Sequence, residues 1–180
     1  MTEEQAETSL RTLVPGPDGA RLYRDAFPAA GPEELYELVN GDWLFRVPTL
    51  HLAESHADSG GRTHAYELTW PAPGFDGALG ACHGLDVPLV FGTLRSGRPA
   101  ALIGTAPAAL EEAAALSARI RAAWIAFAAD GDPGWPAYEA GQRLTQVLDT
   151  QPAVTAYPEE ASALLWRDHP FAALPLHDGA

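Results

Sequence analysis

The sequence predicts an α/β chain with helix in excess of strand, and three observations carry that expectation. Residues 106–129 hold a long helical repeat in which Leu116, Ile120, Trp124 and Phe127 fall at i, i+4, i+8 and i+11. "RTHAYELTW" (62–70) is rich in aromatic and β-favouring residues and is bounded by "SGG" and "PAPG", which marks a strand. Helical patterns elsewhere alternate with a few short extended ones, and no internal repeat or low-complexity linker interrupts them.

Taken in order, Thr2 followed by Glu3 and Glu4 is an N-cap with an acidic first turn, and it starts a helix over 2–10. "VPGPDG" (14–19) is a turn cluster that ends it. "GPEELYELV" (31–39) is a helix, with Pro32 in the first turn and Leu35, Leu38 and Val39 on one face. A further helix runs from about Asp42 to Ala57 and offers Leu44, Val47, Leu52 and Ala53 for burial, and Pro48 should kink or break it. The strand at 62–70 comes next.

The 106–129 helix follows, with Pro107 near its start, Glu111 and Glu112 in its first turns, and Trp124 and Phe127 in the core. "GDPGWP" (131–136) stops it, with Trp135 packed against the turn. "RLTQVLDT" and "AVTAY" are short extended segments, and "PEEASALLW" (158–166) is the last helix.

Composition limits the function classes. The chain has 180 residues, 47% hydrophobic and 19% charged, which is a globular balance with enough chain for one domain and its core. A net charge of -13 with scattered arginines gives no footprint for nucleic acid or an anionic membrane. The lone cysteine, Cys82, forms no internal disulfide and no CxxC motif. The N-terminal residues lack the basic and apolar regions of a secretory signal, and no apolar run approaches the roughly 20 residues of a membrane helix. The chain as written is therefore expected in the cytoplasm.

Few residues carry reactive chemistry. No GxxxxGK[ST] and no GxGxxG after a strand is present, so no nucleotide cofactor is expected. In "HLAESH" the helical angles from His51 are roughly 60° to Glu54 and roughly 140° to His56, so the three do not converge on a metal. His83 stands out, in "GACHGLDVPLVFG" (80–92): a titratable ring in a loop of small residues between the strand and an apolar segment. Cys82 beside it is a poor nucleophile candidate, because adjacent residues on an extended loop point in opposite directions. Asp86, three residues on, is placed to cap the following turn or bond loop amides.

That segment resembles the catalytic-histidine segment of the type-B carboxylesterases and cholinesterases. Gly80, Ala81, His83, Gly84, Asp86, Val90, Phe91 and Gly92 fall on the pattern. "DWLFRVPTLHLAESHADSGGRTHAYELTW" is similar to the family's Phe-Arg-x-Pro helix and the strand before the histidine loop. "IRAAWIAFAADGDPGWPAYE" is similar to its Trp-x-x-Phe-Ala helix and Gly-Asp-Pro signature, and "LLWRDHP" also fits. The resemblance is strongest over 20–170. It implies one partial domain over 1–180: the C-terminal part of an α/β-hydrolase fold, helix-rich and with few strands, lacking the central parallel strands and the nucleophile elbow.

The resemblance also implies a chemistry, ester cleavage by a Ser-acid-His triad in which His83 is the general base. Gly80, Gly84 and Asp86 would form its supporting loop. No serine has glycine at both ±2, so no residue here fits the GxSxG nucleophile, and no oxyanion segment of the HGGG type is present. The substrate of the complete enzyme would be a small carboxylic ester. The chain by itself would be inactive and poorly stable, would self-associate, or would be complemented by an N-terminal segment. The other reading is a non-catalytic chain that binds a partner through an exposed sheet edge.

Overall fold

The computed structural model describes residues 2–171, which fall into two compact units. One comprises the chain up to Ser55 together with the segment from Glu159 on, and the other is His56–Pro158.

The first unit is helical. Helix α1 (Glu3–Leu13) opens on a capping box: the Gln5 amide donates to Thr2 Oγ1 at 3.3 Å, and the Thr2 amide donates to Gln5 Oε1 at 3.0 Å. Helix α2 (Gly19–Ala26) starts inside the Pro/Gly turn cluster, where the turn signal masks it in the sequence. Helix α3 (Pro32–Gly41) carries its proline in the first turn, as expected. Leu10, Val14, Tyr23, Leu35, Val39, Val47 and Trp166 form the core, the last from α8 (Glu160–Trp166).

The interruption expected at Pro48 takes the form of a π turn over Asp42–Arg46, continuous with α3 before it and α4 (Val47–Asp58) after it. The Val47 amide reaches back five residues to the Asp42 carbonyl, widening the helix just before the proline ring. The extra residue in that turn also rotates the helix phase. Val47 is buried, but Leu44 and Leu52, both expected inside, are 49% and 71% exposed.

The same turn places Asp42 in the core at 0% exposure. Its carboxylate accepts from Arg46 Nη1 at 2.5 Å and from the Tyr23 hydroxyl, which in turn accepts from Trp166 Nε1 at 2.9 Å. One buried charge thus ties α2, the π turn and α8 together, and its cation and donors offset the cost of burial.

The second unit holds a three-stranded sheet in the order β1 (Ala65–Leu68), β2 (Leu144–Leu148), β3 (Ala153–Ala156). β1 runs parallel to β2 with Ala65 opposite Thr145 and Leu68 opposite Leu148, and β3 returns antiparallel. The long crossover carries α5 (Asp86–Phe91), α6 (Gly97–Ile103) and α7 (Pro107–Asp130). Helices α5 and α6, too short to show a period, were not legible in the sequence.

Trp70, Ala72, Leu85, Leu89, Ile103, Ala113, Leu116, Ile120 and Leu148 make this unit's core. The stripe on α7 is buried only in its first half. Leu116 and Ile120 are inside and Trp124 is half-buried, but Phe127 is 49% exposed, against expectation. Trp124 and Phe127 lie over β1, where they meet Tyr66 and His64 edge-on and gain only partial cover.

Burial first, and then the Asp42 charge and hydrogen bond, raise the Tyr23 phenol well above its ordinary 10. The unfolded chain ionises that phenol near pH 10 and the folded chain does not. Stability is therefore full below about pH 10 and falls as the pH rises past it. Tyr23→Phe should cost about 1–3 kcal/mol near neutral pH, because it leaves Asp42 and the Trp166 N–H short of a partner. It should also flatten the decline above pH 10. Urea unfolding at pH 8 and pH 10.5 reads both effects, and an unchanged alkaline slope would contradict this assignment.

Candidate functional site

The segment that leads to His83 leaves the C-terminal end of β1 through two buried anchors, Trp70 and Ala72. The Ala72 amide donates to the Gly80 carbonyl at 2.8 Å and so closes a loop over 72–80. Gly74 fixes the base of the loop against α6, since a Cβ there would lie 2.0 Å from the Ala101 carbonyl oxygen. A 3-10 turn follows over Gly74–Gly77, in which Phe75 and Asp76 take left-handed backbone with φ of 55° and 56°. Such backbone costs an L-residue about 1–2 kcal/mol, and two consecutive non-glycine residues here carry it.

His83 stands on a second tight turn. The Leu85 amide donates to the Cys82 carbonyl at 3.2 Å, which puts His83 at the first corner of a β-turn and Gly84 at the second. Gly84 has φ of 80°, a conformation that glycine takes at no steric cost. Cys82 packs against the core on one side, and Leu85 and Leu89 are fully buried on the other. Ser117 of α7 locks α5 in place by donating to the Leu89 carbonyl at 2.6 Å. His83, between these anchors, is solvent-exposed.

Asp86 is the first residue of α5. The cap position itself is Leu85 and no side chain bonds there, so Asp86 places its charge in the first turn without capping. That charge is felt by Tyr66 on β1, whose phenol is raised first by burial and second by Asp86. Tyr66 meets Trp124 edge-on at 4.9 Å. Sequence reasoning did not single out Tyr66, since nothing local connects a strand tyrosine to a carboxylate twenty residues on.

The other candidates separate. His51 lies edge-on to Phe171, and His56 Nδ1 pairs with Thr63 Oγ1 at 2.8 Å. Among the described residues no three metal-ligating side chains come together, and no helix is long and apolar enough to cross a membrane. His64 Nδ1 meets the Trp135 carbonyl at 3.1 Å, tying the "GDPGWP" turn to β1. Ser117 and Ser162 are buried in helices.

Comparison with known proteins gives one family. The model of the carboxylesterase family matches residues 26–165. Carboxylesterase 1E of Rattus norvegicus is 29% identical over 84% of this chain and 27% of its own length. The para-nitrobenzyl esterase of Bacillus subtilis (strain 168) is 28% identical over 88% of this chain and 32% of its own. Among solved structures, a PNB esterase superposes with a TM-score of 0.69 at 26% identity, covering 92% of this chain and 33% of that one. The helix-rich chain with its small sheet is thus part of an α/β-hydrolase fold, and it spans about a third or less of these relatives' length.

Asp86→Asn should bring the Tyr66 ionisation down toward its ordinary value but not all the way, because burial is the larger cause. Tyrosine ring resonances followed by NMR from pH 8 to 12 would show it, and an unmoved Tyr66 would refute the Asp86–Tyr66 coupling.

Proposed function

Since the chain belongs to the carboxylesterase family, we propose that it supplies the histidine of a carboxylic ester hydrolase, with His83 as general base. The observation that carries this is the presentation of His83: an exposed imidazole at a turn corner, flanked by buried anchors, on the connection that leaves the C-terminal end of a parallel strand. Open α/β sheets bind their ligands at that end.

The chemistry needs such a mount. The imidazole takes the proton of a serine hydroxyl as the oxygen attacks the ester carbonyl, and it returns that proton to the departing alcohol. Water then repeats the sequence on the acyl-enzyme. The ring must stay within hydrogen-bond reach of both oxygens, so a loop that held it loosely would lose rate. Gly80 and Gly84 permit the turns that present it, and the Asp86 charge, which also raises the Tyr66 phenol, lies in the first turn of the helix that follows. The serine, the acid and the oxyanion donors lie on a segment outside this sequence, and without them His83 gives little rate. In this reading both compact units belong to one partial hydrolase domain, as the span of the family match across them supports.

A second reading, a chain that works by association, is favoured by the open side of β1. Among the described residues only β2 pairs with β1, while Tyr66 on its face and Phe127 above it stand 40% and 49% exposed. Parallel strands are ordinarily covered on both faces, and an unprotected edge invites another strand. The two readings meet if the occupant of that edge is the segment that bears the nucleophile.

The test is reconstitution. The chain is mixed with, or fused behind, a GxSxG-bearing hydrolase segment and assayed on p-nitrophenyl butyrate. Hydrolysis should require both parts, and His83→Ala should lower it by at least about 100-fold. Hydrolysis that survives His83→Ala would remove the base assignment. Alone, the chain should self-associate or melt early; a monomer with a cooperative transition above about 60 °C would count against a required partner.

A further inference from the structure

Helix α7 buries Ala113, Leu116 and Ile120, all hydrocarbon, and with them Ser117, which is 3% exposed. Packing alone would favour alanine there, since it keeps the helix and buries no hydroxyl. A serine inside a helix can satisfy its hydroxyl on the carbonyl four residues before it. Here the hydroxyl instead leaves α7 and donates to the Leu89 carbonyl of α5 at 2.6 Å. One turn along α7, Arg121 lies against Gly92, where a Cβ would come within 3.2 Å of its Nη1. Two side chains on one face of α7 thus hold the C-terminal end of α5.

That end needs holding. Helix α5 runs only from Asp86 to Phe91, too short to persist on its own hydrogen bonds, and no side chain caps its start. The amides of Gly92 and Thr93 both go to the Pro88 carbonyl, and the Leu89 carbonyl takes its bond from Ser117. Leu85, at the cap position, is fully buried, and its amide closes the His83 turn on the Cys82 carbonyl at 3.2 Å. From Ser117 the connection therefore runs through one hydrogen bond, the body of α5, and the bond that closes the turn around His83.

We propose that Ser117 is a positioning residue for the histidine: its bond fixes where α5 sits, and α5 fixes the turn that bears His83. The inference rests on His83 being the base, and it adds a residue that sets the rate without touching substrate. Proton transfer depends on such placement, because the ring must reach the serine oxygen and then the leaving oxygen. A displacement of about 1 Å can cost about 100-fold in rate.

The test uses the full chain, alone and reconstituted with the GxSxG-bearing segment. In the reconstituted hydrolase, Ser117→Ala should lower kcat on p-nitrophenyl butyrate by about 10-fold or more and leave KM within about two-fold. Ile120→Val thins the same core without touching the Leu89 carbonyl, and it should leave kcat unchanged. In the chain alone, hydrogen exchange followed by NMR should show the Leu85 amide exchanging about ten-fold faster in Ser117→Ala. The Thr69 amide, bonded to the Leu148 carbonyl at 3.2 Å, should keep its rate.

A kcat that Ser117→Ala leaves intact, an equal loss in Ile120→Val, or an unmoved Leu85 amide would each overturn the proposal. The base assignment fails separately. Hydrolysis indifferent to His83→Ala would remove the base, whereas hydrolysis that needs His83 but ignores Ser117→Ala would remove the positioning role alone.

Discussion

The second unit depends on the parallel pairing of β1 with β2. Two parallel strands cannot be joined by a hairpin, so the chain must leave one end of the sheet and return to the other. The stretch from Thr69 to Arg143 makes that return, and its elements follow from it. Helix α7 lies over the face that carries Tyr66, Leu68 and Leu148, and Leu116 and Ile120 fill the space between. Helix α5 is pinned to α7 by Ser117, which sets where the preceding turn stands. His83 is presented at the start of this crossover because the first residues past a parallel strand must turn sharply before a helix can begin. Gly84, at φ of 80°, lets that turn close next to His83.

The first unit is organised by a buried charge rather than by a sheet. Asp42 would be costly at 0% exposure without Arg46 and Tyr23, and the π turn lets it face inward while Val47 enters the core. Removing one partner strands the others, so the network specifies how α2, the π turn and α8 meet more than it adds to their attraction. The short helices gain a definite arrangement from it, since their apolar contacts alone would tolerate several.

Large apolar side chains stand exposed in both units, Leu44, Phe45 and Leu52 in the first and Phe75, Phe91, Ile125 and Phe127 in the second. Tyr66 and Phe127 lie on the face of β1 that α7 crosses, and Phe75, Leu79 and Val87 lie on the connection from β1 into α5. A folded chain that spans a third or less of the relatives it matches would be expected to leave such surface uncovered. The strained pair Phe75–Asp76 differs from the rest, because exposure alone explains the ring but not the backbone beneath it.

Local physics made much of this protein readable in advance. The capping box at Thr2, the first-turn prolines at 32 and 107, and the stop after Asp130 depend on a few neighbouring residues, and each element stands where those residues put it. The loop glycines around His83 and the family pattern they carry were legible for the same reason.

Tertiary structure decided what no short window contains. The partner of β1, and its parallel sense, rest on residues some eighty positions apart in the chain. The exposure of Leu44 and Leu52 follows from a one-residue phase slip in a π turn, and that of Phe127 from how far the sheet extends beneath α7. The effect of the Asp86 charge on Tyr66, second to burial, joins a helix start to a strand twenty residues earlier in the chain. Periodicity reports which faces are apolar, and only packing determines which of those faces are covered.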